Sequence, residues 1–319
     1  MVQAEKIEAA GFQHRHFSDT ILLQERDSNM KKQIKLILAD IDGTLLNSNH
    51  EVTEKTRTAI GKLKDKGILF GIATGRSPYA VKHLLKEWGL ENDTALIMGF
   101  NGGSVMDMRT GEMTSVLRLS GQAIPQIQKD LEGFAYNIGM YEGETFKAMI
   151  DDEKARRIAL SNRFEFIQDD FSGYIDKEMG KLLVIADKEE MDRIVSHYET
   201  LPPSPLYHTF RSAPILLECV NPELSKSKGI QLMLEHMDLK PEELMTFGDA
   251  MNDFDMIRDY VGVAMANGDE RVKAVASFVT LSNDEDGIGV FLNEYFGLEE
   301  QEISPADDPE RDDNIGQIC

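Results

Sequence analysis

Two carboxylates two residues apart can hold one cation or share one proton, provided the backbone brings them into the same small volume. Asp40 and Asp42, in the run Asp40-Ile41-Asp42-Gly43-Thr44, have that spacing. The spacing alone is a weak signal. Asp-x-Asp recurs at Asp253/Asp255 and Asp284/Asp286, and a chain of this length holds about one by chance. What sets 40–44 apart is the apolar run before it and the Gly-Thr after it, since glycine lets the backbone come close to a ligand. Thr74-Gly75-Arg76 ends a second apolar run. A hydroxyl beside a glycine-flexed backbone there can meet phosphate oxygens, and Ser77-Pro78 then open a helix whose N-terminus favours anions. Ser227-Lys228-Gly229 brings a lysine to another helix start, with Lys226 as an equally basic rival. Gly248-Asp249-Ala250-Met251-Asn252-Asp253 follows a further apolar run and returns acids to a strand end. Each group alone has an ordinary explanation as a turn, an exposed lysine or a helix cap. Together, acids holding Mg²⁺, a hydroxyl and a lysine make sense around a transferring phosphoryl group.

Those residues need elements that deliver them to one place. Ile34–Ala39 (IKLILA) and Ile68–Ala73 (ILFGIA) read as buried strands, with a helix over Thr53–Lys66 between them carrying Ala59, Ile60 and Leu63 at helical spacing. A second helix starts with Ser77 as N-cap and Pro78 at its first position, turns Val81, Leu84, Leu85 and Trp88 inward, and closes at Gly89. Ala95–Met98, Leu244–Phe247, Val261–Met265 and Phe278–Leu281 read as later strands. Alternating strand and helix predicts an α/β fold with a doubly wound parallel sheet, which binds ligands beyond the carboxyl ends of its strands. Residues 117–221 differ: strands such as Lys181–Ala186 and Ile215–Val220 lie beside helical stretches, and prolines cluster at 202, 203 and 205. They predict an inserted α+β domain; one continuous larger sheet is the alternative. The expected organisation is core 31–116, inserted domain 117–221 and core 222–298.

The two ends read differently. Residues 1–30 are polar and predict either an extension or an upstream start with Met30 as the working one, the second being favoured. Residues 299–319 predict an acidic disordered tail; 299–313 alone hold eight acids and one arginine. The chain has 319 residues, enough for one large or two ordinary domains. Its net charge of −22 disfavours nucleic acid and anionic membrane surfaces. Two distant cysteines, Cys219 and Cys319, give no disulfide framework. With no apolar run of membrane length and no secretory signal core, the cytoplasm is the expected compartment.

The order DIDGTLL, TGR, SKG, GDAMND resembles the haloacid dehalogenase (HAD) superfamily, most of all its Cof-type phosphatases, which carry a large α/β cap between the second and third motifs. The gap from Arg76 to Ser227 accommodates such a cap, and Asn101-Gly102, Gly262–Asn267 and Asp286-Gly287-Ile288 add to the likeness, which covers about 32–296. The resemblance implies a Rossmann-like core and a set of roles. Asp40 would be the nucleophile and Asp42 the general acid and base. Ile41 (backbone), Thr74, Gly75, Lys228 and Asn252 would bind phosphate. Mg²⁺ would sit on the Asp40 carboxylate, the Asp42 backbone carbonyl and Asp249, with Asp253 supporting its shell. Lys228 is preferred to Lys226 because SKG at 227–229 matches the family spacing, and Thr74 stands where many relatives have serine.

The function implied is a Mg²⁺-dependent phosphatase acting on small phosphorylated metabolites, such as a sugar phosphate, pyridoxal phosphate or FMN, through an aspartyl-phosphate. The partners implied are that metabolite, no nucleic acid and no membrane, in a monomer or weak homodimer. A phosphomutase of the same superfamily and a non-catalytic phosphometabolite sensor are the alternatives. Tyr141, Glu142 and Lys147 lie in the inserted region and read as ordinary exposed polar residues. A dinucleotide-binding Rossmann domain is excluded, because DIDGT rather than GxGxxG follows the first strand.

Overall fold

In the computed structural model residues 34–298 are described, and the expectations for the two ends lie outside them. The first part of the chain runs β1 (Leu36–Ala39), α1 (Glu54–Leu63), β2 (Leu69–Ala73), α2 (Pro78–Trp88), β3 (Thr94–Gly99), β4 (Ser104–Asp107) and β5 (Met113–Ser115). The middle follows with β6 (Leu119–Ser120), α3 (Ala123–Asp130), β7 (Asn137–Glu142), β8 (Thr145–Ala148), α4 (Glu153–Ser161), β9 (Glu165–Gln168), β10 (Glu178–Met179), β11 (Leu182–Ile185), α5 (Lys188–Tyr198), β12 (His208–Ala213) and β13 (Leu216–Val220). The last part is α6 (Lys226–Met237), β14 (Leu244–Gly248), α7 (Phe254–Asp259), β15 (Val261–Ala264), α8 (Glu270–Val275), β16 (Phe278–Val279) and α9 (Gly287–Phe296).

The main sheet has the order β16-β15-β14-β1-β2-β3-β4-β5. From β16 to β3 every pairing is parallel; β4 and β5 add an antiparallel edge that the apolar runs do not foretell. The fold class is therefore α/β as expected, with a mixed rather than purely parallel sheet. Alternation along β1 explains the layers. Ile37 and Ala39 pack with Ile60, Leu63, Val81, Leu85, Phe291 and Leu292 from α1, α2 and α9 on one face. Leu36 and Leu38 pack with Ile230, Met233, Leu234, Met256 and Ile257 from α6 and α7 on the other. A strand buried on both faces reads as an unbroken apolar run, which is why β1 was legible. Thr53 caps α1 by accepting from the Thr56 N–H at 3.3 Å. Ser77 occupies the N-cap position of α2 without such a bond, and Gly89 ends that helix in the left-handed region.

The middle segment builds its own six-stranded sheet, β12-β13-β11-β7-β8-β9, antiparallel except for β8 with β9. One face packs on α3 and α5 through Ile124, Ile127, Met191 and Ile194. The other packs on α4 and reaches Ala80 and Tyr79 of α2. The two crossing segments are tied together: Asn221 Nδ2 donates to the Arg118 carbonyl at 3.0 Å. No helix among the described residues is long and apolar enough to cross a membrane.

Candidate active site

The chain leaves β1 toward β2 on one side and leaves β14 toward β15 on the other, so the carboxyl ends of β1 and β14 flank the point where the winding reverses. Such a switch point is an open crevice. Asp40 follows β1, and its N–H donates to the Phe247 carbonyl of β14 at 3.0 Å. Asp249 follows β14. Thr44 Oγ1 donates to Asp249 Oδ1 at 2.8 Å, which ties the two strand-end loops together. Gly43 has a φ of +84°, and a Cβ there would lie 2.5 Å from Asp249 Oδ2. Only glycine fits, both for conformation and for room. Ile41 is buried in the core and its carbonyl accepts from the Leu46 N–H at 2.9 Å.

The lysine in this site is Lys226. Its Nζ lies 2.5 Å from Asp40 Oδ1, 2.5 Å from Asp253 Oδ1 and 3.0 Å from the Ala73 carbonyl of β2, with the side chain 0% exposed. The expectation of Lys228 is corrected: its Nζ points to Gln231 Oε1 at 3.1 Å on the outer side of α6. The physical reason is helical phase. Lys226 stands four, seven and eight residues before Ile230, Met233 and Leu234, which form the inward face, whereas Lys228 shares the outer face with Gln231 and Glu235. The Gly229 that completes SKG serves contact: a Cβ there would meet the Gly102 carbonyl oxygen at 2.3 Å, so glycine lets the first turn of α6 press against the loop after β3.

Carboxylate oxygens of Asp40, Asp249 and Asp253 lie within 4.8 Å of one another. Asp253 is fully buried and its oxygens are committed, Oδ1 to Lys226 and Oδ2 to the Asp249 and Ala250 N–H groups at 3.1 and 3.2 Å. It shapes the loop that carries Asp249. Burial pushes the Asp40 carboxyl above the ordinary range; Lys226 pulls it back, while Asp253 and Asp249 add to the rise. Burial also pushes Asp249 up, to about 6, with the Thr44 hydrogen bond opposing it. For Lys226, burial disfavours the ammonium, but the Asp253 and Asp40 carboxylates outweigh it and hold its pKa above the ordinary value. An oxygen-only donor set short of positive charge fits a hard divalent cation such as Mg²⁺.

Asp42 is set apart from this cluster. It is exposed and paired with Arg76, whose Nη2 and Nε reach Oδ1 and Oδ2 at 2.6 and 3.2 Å. That bidentate contact joins the loop after β1 to the turn after β2 and was not anticipated from the motifs. In the same turn Thr74 is buried, its Oγ1 accepting from the Arg76 N–H at 3.2 Å. The Gly75 carbonyl accepts from Lys181 of the second sheet at 3.0 Å. Asn252 is exposed on the Asp249 loop. Glu142 and Lys147 pair at 2.8 Å beside Tyr174, while Tyr141 stacks on Phe100 at 5.9 Å between ring centres.

Comparison with known proteins gives the family. The pattern of the haloacid dehalogenase-like hydrolases matches residues 37–292. The 5-amino-6-(5-phospho-D-ribitylamino)uracil phosphatase of Bacillus subtilis is 28% identical over 277 residues, 84% of this chain and 100% of its own. Among solved structures, a haloacid dehalogenase-like hydrolase from Bacteroides thetaiotaomicron superposes with a TM-score of 0.73 at 28% identity, covering 82% of this chain and 100% of its own. A sugar phosphatase of HAD subclass IIB gives 0.67 at 26% identity, covering 83% and 100%. The chain belongs to the haloacid dehalogenase-like hydrolases and is a phosphatase of that family.

Proposed function

We propose that this phosphatase hydrolyses small phosphomonoesters, with Mg²⁺, through an aspartyl-phosphate on Asp40. The observation that supports it best is the set of buried Asp40, Lys226 and Asp253 with half-buried Asp249 at the switch point of the sheet. Lys226 takes Asp40 Oδ1, so attack on phosphorus falls to Oδ2. As the Oδ2–P bond forms, the ester P–O bond breaks, and the leaving oxygen takes a proton from Asp42. Water then attacks the phosphorus of the aspartyl-phosphate, Asp42 takes its proton, and the carboxylate of Asp40 is released. Asp42 reaches the leaving oxygen once its pair with Arg76 opens, which leaves Arg76 facing the incoming phosphate.

The Asp40 and Asp249 carboxylates and the Asp42 backbone carbonyl would hold Mg²⁺, which when bound offsets the charge of the phosphate and of the attacking carboxylate. Lys226 adds positive charge at the same carboxylate and keeps Asp40 aimed. The Thr74 hydroxyl, the Gly75 backbone, the Ile41 backbone and Asn252 are the proposed phosphate donors. Residues 117–221 would act as a cap that covers the site and meets the leaving group. The relatives above, named for a phosphoribityl compound and for sugar phosphates, support a small hydroxyl-bearing ester as substrate. Phosphate release from a panel of such esters with Mg²⁺, beside Asp40→Asn, tests the reading. Turnover of some esters, lost in the variant, is expected; turnover that survives in Asp40→Asn would remove Asp40 from the role.

A further inference from the structure

The second sheet sends one buried side chain into the turn after β2. Lys181, just before β11, is 4% exposed. Its Nζ lies 3.0 Å from the Gly75 carbonyl and 2.8 Å from Oε1 of Glu218, which is itself buried on β13. The rings of Phe100 and Tyr141 lie 5.5 and 5.8 Å from the same ammonium. Gly75 is the neighbour of Thr74, and on the other side of Thr74 the Ala73 carbonyl accepts from Lys226 at 3.0 Å. The phosphate turn is thus gripped on both sides of Thr74, from the core by Lys226 and from the second sheet by Lys181.

The geometry of the peptide bond says what the second grip does. In a trans peptide the C=O and N–H point in opposite directions. Holding the Gly75 carbonyl therefore fixes the direction of the Arg76 N–H, which donates to Thr74 Oγ1 at 3.2 Å. With an acceptor site of Oγ1 filled by that N–H, the hydroxyl's own hydrogen is left to be donated elsewhere. We propose that Lys181 and Glu218 are positioning residues. Glu218 aims Lys181, Lys181 orients the Gly75–Arg76 peptide, and that peptide turns the Thr74 hydroxyl toward the phosphate, so that alignment of this donor depends on the second sheet being seated. Glu218 Oε2 supports a role beyond stability: it is buried with no hydrogen-bond partner among the described residues, a cost that a purely structural pair would not need. The inference rests on the phosphatase reading for its kinetic consequence, though not for the bond network itself.

The test uses the full chain with Mg²⁺ and p-nitrophenyl phosphate. Lys181→Met/Glu218→Gln removes both charges together and so buries no unpaired one. Lys181→Gln/Glu218→Gln is the second variant, too short to reach Gly75 while keeping a polar contact within the sheet. Expected are a fall in kcat of about tenfold with little change in KM, and a fall of about a hundredfold for Thr74→Val. Combined with Thr74→Val, the pair variant should cost nothing more, because both act on one hydroxyl. Hydrogen exchange at the Arg76 amide should speed up in both pair variants while the amides of β2 stay protected. Unchanged kcat, full multiplication of the two losses, or unchanged exchange at Arg76 would each overturn the proposal. If the wild-type chain releases no phosphate from any ester, the phosphatase reading fails, and the exchange at Arg76 alone decides whether Lys181 orients the turn.

Discussion

Lys226 in the core and Lys181 in the second sheet are both buried, both ion-paired and both bonded to a backbone carbonyl beside Thr74, yet their surroundings ask for different things. Lys181 meets one carboxylate, so its charge is balanced and the pair can orient the Gly75 carbonyl without calling for a further cation. Lys226 meets Asp40 and Asp253, with Asp249 close by. Three carboxylates against one ammonium leave two negative charges when all are ionised, which is the charge one divalent cation supplies. A desolvated excess of that size is costly until a cation arrives, and the raised pKa of Asp249 is its signature. The lesson is that burial and pairing do not distinguish a lysine that orients a turn from one at a reaction centre; the unbalanced count of charges around it does.

That contrast can be broken most severely at Asp40. Asp40→Asn should lower turnover by more than about 10⁴-fold, as loss of a nucleophile does elsewhere. An unchanged far-ultraviolet circular dichroism spectrum would show that the fold survives. Next in size is Lys226→Met, which strands Asp40 and Asp253 without their partner. Breaking a buried pair in this way costs about 3–5 kcal/mol, read as a lowered midpoint in urea, and turnover should be lost with it. A midpoint equal to that of the wild type would mean that the Lys226 contacts hold nothing together.

The charge count makes a third prediction. Mg²⁺ should raise the melting temperature, by the equivalent of about 2.7 kcal/mol when it is present at a hundred times its dissociation constant. EDTA should abolish activity, and Asp249→Asn should remove most of the thermal gain. The gain should also shrink in acid. Asp249 ionises near 6 in the folded chain and near 4 when unfolded. Without metal, this group's contribution to stability is present below the unfolded value and is lost as pH rises through about 6, since the folded state resists ionisation. Mg²⁺ requires the ionised form, so its stabilising effect should be larger at pH 7.5 than at pH 5. Equal thermal shifts at the two pH values would remove Asp249 from the cation site.

How far the sequence led depended on what each feature rests on. β1, β2 and β14 were legible because they are central parallel strands, buried on both faces, and such strands are apolar without interruption. The β4–β5 edge was not, because its strands are short and half-polar: Ser104–Asp107 and Met113–Ser115 carry little pattern. The acids at the ends of β1 and β14 were found because a strand end is a local signal. The pairing of Arg76 with Asp42 was not, since it joins loops 34 residues apart through the placement of two strands. Lys181 and Glu218 were missed for the same reason, because nothing local marks a lysine before a strand as pointing into another sheet. Lys226 was within reach: its spacing to Ile230, Met233 and Leu234 already placed it on the apolar face of α6. Preferring Lys228 on motif spacing overrode that periodicity.

The smallest expected effect tests the same point from the other side. Lys228 lies two positions from Lys226 on one helix, has the same charge and hydrogen-bonds through its side chain to Gln231 near the surface. Two residues along a helix is a turn of about 200°, so the two lysines project from opposite faces. A half-buried lysine whose ammonium lies near the surface with one side-chain hydrogen bond contributes little, and Lys228→Ala should change stability by no more than about 0.5 kcal/mol. Turnover of the best ester should stay within about twofold of wild type, measured beside Lys226→Met in the same assay. A large loss in Lys228→Ala with a small one in Lys226→Met would invert the assignment and put the phosphate-facing charge on the outer face of α6. The expected pattern ties function to helical phase, because the two variants differ in little except the direction the helix gives each side chain.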